Sequence, residues 1–268
     1  MSAMLRIYQR LWQVNWAEQW QYRANLIMYL LYWLVSPVIY LAVWTSIART
    51  RGSVNGFTVN DFVTYYMLLL IVDQLTSNII LHIFAYKVQD GSLSGELLRP
   101  IHPMLTNALV NTVAFKALNI LGLIPVWIIL FLLFRPDFSG LSWTGVLLSI
   151  PAMWLGFSIG FLLSAAITST AFWTTRVYSI HEFYFALMQL FSGQFVPLTL
   201  MPAAIQDVAR FLPFQLLIYF PIELMLGRLS GPQIIEGFLV GLAWLALSAL
   251  LFQWVWRRGI RQFSAVGA

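Results

Sequence analysis

Polar side chains set inside an apolar stretch are the first candidates for chemistry. In residues 62–86 the run is interrupted by Asp73, Gln74, Thr76, Ser77 and Asn78. On a helix Asp73 and Ser77 share one face, and Gln74 and Asn78 the adjacent one. Lys116 lies in the next apolar stretch. By the helical rise, Asp73 is ~20 Å and Lys116 ~18 Å from the inner ends of their stretches, so the two lie at equal depth. An ionised group in apolar surroundings is paired or lines a polar route. Both readings stay open: an Asp73–Lys116 salt bridge, or a route lined by Asp73, Gln74 and Ser77. Gln189 and Gln194, in residues 180–200, either line the same route or hydrogen-bond between helices.

Other chemistries fare less well. An ATP-hydrolysing chain needs a GxxxxGK[ST] loop to cradle the phosphates. The two lysines, Lys87 and Lys116, do not follow a glycine. "GFSIG", residues 156–160, matches a nucleophile pattern that requires a sharp strand-to-helix turn and a nearby histidine. Here it sits within an apolar stretch, with Ser158 ~16 Å deeper than His181 by the helical rise. Gly156 and Gly160 read instead as a helix-packing face. His82, His102 and His181 are scattered without a second ligand at metal spacing, so no metal is expected. The absence of cysteine excludes thiolate sites. The expectation is a protein that is not an enzyme and binds no cofactor itself.

The elements that position these residues follow from composition. Of 268 residues 60% are hydrophobic and 9% charged, with a mean hydropathy of +0.78. Soluble domains carry about 25% charged residues, so lipid is the expected solvent. A membrane-crossing helix needs about 20 apolar residues. Six stretches qualify: 26–48, 62–86, 105–134, 143–169, 180–200 and 233–256. No cleavable leader is expected, since the first apolar run begins only near Leu26. Residues 1–24, before these spans, carry Trp12, Trp16 and Trp20 at four-residue spacing, an interfacial helix with its aromatic side in the membrane boundary. Between the last two spans, Pro197, Pro202, Pro213, Pro221 and Pro232 interrupt an apolar segment, which reads as short re-entrant helices. With the N-terminus inside, nine basic residues fall in cytoplasmic segments and five outside, which favours cytoplasmic termini and a cytoplasmic 257–268 tail. The fold class is all-α with six transmembrane helices in a single domain over 1–268. The net charge of +5 lies at the ends of apolar runs, so no nucleic-acid partner is expected.

The longest polar tract, "YKVQDGSLSGELLRPIHP" (86–103), is placed in the cytoplasm. Asp90 or Ser92 caps a short helix that Pro100 ends. Leu93, Leu97 and Leu98 form its apolar face, with Glu96 and Arg99 beside it. Two turns are marginal alone, so the helix needs a surface on which to dock.

Three features together resemble the permeases of ABC-2 type exporters. They are the amphipathic helix before six spans, "DGSLSGELLRPIHP", and "SGQFVPLTLMP…FLPF…YFPIELMLG". The middle tract is most similar to the viologen and multidrug exporter permeases. The resemblance implies export through a path shared with a second permease, related or identical, and powered by two ATPase subunits that hold ATP and Mg. Asp90, Gly91, Leu93, Glu96, Leu97, Leu98 and Arg99 would then form the ATPase-coupling helix. Asp73, Gln74, Ser77, Gln189 and Gln194 would line the path. Pro197, Pro202, Pro213 and Pro221 would shape its outer gate, in a bacterial inner membrane. The alternative is an ion-coupled secondary transporter or channel-like protein using Asp73 and Glu182, for which broken helices in both halves would be expected.

Overall fold

The computed structural model describes residues 3–21, 23–78, 80–99 and 101–263. Away from water a backbone must satisfy its own hydrogen bonds, which favours helices in so apolar a chain. Among the described residues every named element is a helix, and one isolated bridge joins Val54 to Phe57. The helices are α1 (Ala3–Gln21), α2 (Arg23–Arg51), α3 (Val59–Thr76), α4 (Ile80–Gln89) and α5 (Leu93–Leu97). A π-helical turn, Met104–Ala108, leads into α6 (Leu109–Phe134). Then come α7 (Trp143–Ser169), α8 (Val177–Phe191), α9 (Ala203–Phe211), α10 (Tyr219–Met225) and α11 (Gly231–Gly259).

Four segments are long and apolar enough to cross a membrane: Ile27–Arg51, Met104–Phe134, Trp143–Phe172 and Gly231–Gly259. They coincide with the first, third, fourth and sixth expected spans. The other two expected spans are not continuous helices. Residues 62–86 divide between α3 and α4, because Ser77 turns extended (ψ 167°) after its N–H has closed on Asp73 O. Residues 180–200 take in most of a fifteen-residue helix, α8, which begins earlier at Val177. It is ~22 Å long, short of a ~30 Å hydrocarbon layer. It ends at Ser192, and Gly193 follows with φ +83°. A side chain there would be strained and would meet Tyr65 Oη at 2.7 Å.

Helix starts follow from local chemistry. Thr58 and Asp61 form a reciprocal capping box on α3, Ser142 Oγ accepts from Gly145 N, and Ser230 pairs with Gln233 ahead of α11. The prolines of 196–232 sit where a missing N–H does least harm. Pro202 precedes α9, Pro213 heads a 3-10 turn, Pro221 lies in the first turn of α10, and Pro232 opens α11. Pro197 precedes a further 3-10 turn at Leu198–Leu200. The expected end of the short helix at Pro100 lies outside the described residues.

The long helix α7 is the central post, against which α4, α10 and α11 pack. Two of its glycines, Gly145 and Gly156, admit backbone rather than side chains. A Cβ on Gly145 would stand 1.8 Å from Leu224 O, and one on Gly156 would stand 2.5 Å from Leu216 O. Ser158 Oγ donates to Trp154 O, one turn back along the same helix. Gly145→Ala is therefore expected to destabilise the fold by about 3 kcal/mol, since backbone cannot step aside as a side chain can. Gly140→Ala, with open space around the new Cβ, is the control. Thermal unfolding of the two variants in detergent checks this.

Among the described residues, two of the three buried apolar clusters divide along α3 and α4. One gathers α3 (Phe62 to Val72) with Leu34 and Leu41 of α2, Leu123 and Leu130 of α6, and Phe214, Leu217, Ile218, Ile222 and Met225. The other gathers α4 (Ile80, Leu81, Phe84, Ala85, Val88) with Leu93, Met104, Phe161 and Ala165 of α7, and Phe252 and Trp256 of α11. The interruption between α3 and α4 falls between them.

Candidate functional site

A helix that stops in apolar surroundings leaves carbonyls without donors. At the end of α3 one of these is met by a cation. Lys116 Nζ, from α6, donates to Gln74 O at 2.7 Å and reaches Ser77 Oγ at 3.4 Å. Its ammonium also lies 5.3 Å from the centre of the Phe157 ring. A positive charge at a helix C-terminus complements the dipole there. Lys116 forms no ion pair with Asp73; the ion pairs among the described residues lie elsewhere. The expected direct salt bridge is thus corrected: the depths match, but the hydrogen bonds of the ammonium go to the end of α3.

Beside this interruption lies a cavity of about 520 Å³. Ser77, Asn78 and Leu81 form one wall, Tyr29 and Tyr32 of α2 another, and Ser164 of α7 a third. From α8 come His181, Glu182, Tyr184, Phe185 and Met188. Aromatic and thioether surfaces with a few convergent polar groups suit reversible binding of an amphipathic solute. Of the five residues expected along the path, Ser77 lines this cavity. Gln74 faces a separate apolar cleft of about 270 Å³ against α6, near Trp127. Asp73 is buried, and Gln189 is half-buried on α8. Gln194 is buried in the turn after α8, where its N–H donates to Ser192 Oγ. Tyr29, Tyr32 and Tyr184 were missed by sequence reasoning, and their only signal was an aromatic residue at span depth.

The turn after α8 is tied to the α3 side. Tyr65 Oη donates to Gly193 O at 2.8 Å, while Tyr66 Oη and Trp44 Nε1 both donate to Phe195 O, at 2.7 and 3.0 Å. These donors satisfy carbonyls that a continuing helix would have satisfied itself. Further along, Arg228 Nη2 pairs with Asp61 at 2.6 Å, and Nη1 lies 3.8 Å from Glu223. Its guanidinium stands 4.7 Å over the Phe57 ring. Sequence reasoning missed this cluster too.

The 86–103 tract is built on the α4 side. Lys87 Nζ pairs with Glu96 at 2.5 Å. Gly91 adopts φ +80°. Asp90 Oδ1 accepts from Ser92 N–H and Oγ, which holds its carboxyl below the usual carboxylate range. This is a turn rather than a helix cap, and Ser92 makes no side-chain cap bond to α5. The expected cap is corrected accordingly. The expected leucine face also divides: Leu93 is buried in the α4-side cluster, Leu97 is half-buried, and Leu98 is 89% exposed beside exposed Arg99. His102 packs 4.6 Å from Trp256 and accepts from Leu105 N–H, and burial lowers its pKa.

At the N-terminus, Trp12 and Trp16 stack with ring centres 5.5 Å apart, and α1 lies along α6. Trp20 is exposed.

A family described as ABC-2 family transporter protein matches residues 24–267, nearly the whole chain. No curated protein matches it.

Proposed function

The chain belongs to the ABC-2 family of transporters, and on that premise we propose that it is the permease of an ATP-driven exporter, working with two separate ATPase subunits and a second permease. Membership implies the permease component of an ABC transporter. The finer reading rests mainly on one observation: a continuous packed connection runs from an exposed turn to the cavity wall. Leu93 and the Lys87–Glu96 pair fasten α5 to α4. The same α4 carries Leu81 into the cavity and ends at the interruption beside Ser77 and Asn78.

In this account Leu98 and Arg99 meet an ATPase groove, with ATP and Mg held by the partner. Closure of the ATPases moves α5 and α4 as one body against α3, and the cavity changes its access. The solute contributes only its differential affinity for the two states. Asp73, Gln189 and Gln194 are assigned to the path beside Ser77 within this reading, while Gln74 opens on the separate cleft against α6. The proline-broken segment, fastened through Tyr65, Tyr66 and Trp44, serves as the outer closure. The exposed apolar side of α8, with Ile180, Phe183 and Leu190, faces the second permease. The distribution of arginine supports cytoplasmic termini in a bacterial inner membrane. The likeness of the 86–103 tract supports the viologen and multidrug exporter group.

Leu98→Asp tests the proposal. It removes an exposed apolar contact and alters nothing buried, so insertion and thermal stability should remain as in the wild type. Docking of the ATPase should weaken roughly thirtyfold, the loss of one interface hot spot of about 2 kcal/mol. Leu93→Ala should instead lower stability by about 2–5 kcal/mol, because it opens a cavity in the α4-side core. Equal ATPase stimulation by wild type and Leu98→Asp would remove α5 from the coupling path. Ion-driven transport by the chain without any ATPase would overturn the function itself.

A further inference from the structure

Glu223, on α10 of the proline-broken segment, is 2% exposed, and its Oε1 has no hydrogen-bond partner among the described residues. Arg228 Nη1 stands 3.8 Å from that oxygen, while Nη2 of the same guanidinium bonds to Asp61 at 2.6 Å. One cation is thus divided between two carboxylates, and the buried one has the poorer share. Gly227, at φ +64°, makes the turn that brings Arg228 there, and Arg228 N–H donates back to Glu223 O. A polar cavity of about 260 Å³ opens on the far side of the guanidinium. Asn60, Asp61 and Thr64 of α3, Asp137 and Ser139 of the α6–α7 loop, and Arg228 itself line it. Arg228 therefore reaches a polar basin on one side and a buried carboxyl on the other.

A carboxyl shut away from water, with a shared counter-ion, favours its protonated form; the same group in water ionises. The other groups around Glu223 leave this balance in place. Tyr65 of α3 and Tyr219 of α10 face it, and both are neutral phenols near neutral pH. The α7 helix and the Phe214–Leu216 turn, which also pack near α10, carry no titratable side chain. On α11, which meets Phe220, Glu236 is exposed. We propose that Glu223 is a proton-binding switch in the outer closure: the closed segment takes up a proton there, and opening to water releases it. By linkage, acid then holds the segment closed and alkali favours its opening. In the closed alkaline form the ionised carboxylate leans on Arg228 alone. The inference deepens the reading of 196–232 as the outer closure and rests on it.

The chain has no cysteine, so a single introduced one reports opening cleanly. Met225 is 8% exposed at the end of α10, and Leu98 is 89% exposed elsewhere. The full chain in nanodiscs is labelled with a maleimide, and the rate for Met225→Cys is divided by that for Leu98→Cys at each pH. The ratio should fall roughly tenfold from about pH 8 to about pH 5, within the tenfold per pH unit that one coupled proton permits. Glu223→Gln should remove this dependence and stay slow throughout. Asp61→Asn should keep it, displaced to lower pH, because Arg228 is then free to turn to Glu223. If Met225→Cys unfolds, amide hydrogen exchange of 219–228 in the unsubstituted chain, corrected for its intrinsic pH dependence, gives the same comparison. A ratio independent of pH, one that rises in acid, or an unchanged dependence in Glu223→Gln would overturn the inference. Loss of the dependence in Asp61→Asn would overturn it too, by placing the proton at Asp61. Ion-driven transport without any ATPase would sink the ATP-driven reading and leave the proton switch standing.

Discussion

Lys116→Met is expected to lower the stability of the detergent-solubilised protein by about 2–3 kcal/mol, the cost of leaving a buried carbonyl without its charged donor. Methionine keeps most of the stem volume, so packing against Phe157 changes little. What is lost is the donor to Gln74 O and Ser77 Oγ at the end of α3. The background variant Asp73→Asn separates two accounts. If the ammonium mainly neutralised Asp73, the penalty of Lys116→Met would nearly vanish once that carboxylate was gone. If it caps the broken helix, most of the penalty persists, because the carbonyl still lacks a donor. A double-mutant cycle read by thermal unfolding decides between them. Transport should fall with the cap, since the cavity wall at Ser77 and Asn78 depends on where α3 stops.

The second large effect is expected at Arg228. This side chain joins the first turn of α3, through Asp61, to Glu223 of α10. Glu223 is only 2% exposed, whereas Arg228 and Asp61 are each about a third exposed. Arg228→Ala leaves the Glu223 carboxylate without a counter-ion and should cost about 3 kcal/mol, the lower end for breaking a buried pair because Arg228 retains solvent. Adding Glu223→Gln should recover much of that loss by removing the uncompensated charge. Asp61→Asn should cost only about 0.5–1 kcal/mol, as expected for a partly exposed partner. Equal losses at Asp61 and Glu223 would contradict the assignment.

Much of the architecture was legible because lipid solvent leaves few options. Long apolar runs located four helices long and apolar enough to cross a membrane, and the prolines of 196–232 marked a segment that no straight helix could cross. What escaped was decided by contacts distant in sequence. The polar run Asp73–Asn78 was visible, yet whether a helix continues through it depends on Lys116, which arrives from the next span. Matching depths found the right neighbours but the wrong acceptor, because a backbone carbonyl has no letter in the sequence. The leucines at 93, 97 and 98 divided between core and surface according to what α4 and α7 offered them. Arg228 and Asp61 lie 167 residues apart. No local pattern announces such a pairing.

The central claim is that α4 and α5 move as one body against α3 when the partner ATPases bind ATP. It is tested most directly by spin-label distances in the assembled transporter. A label pair at Tyr86 of α4 and Ser139 spans the interruption, and a pair at Ser139 and Val208 lies on the α3 side; all three sites are exposed. On ATP binding the first distance should change by several Å, on the order of one helical turn, while the second stays fixed. A constant first distance, or movement confined to the second pair, would contradict the account.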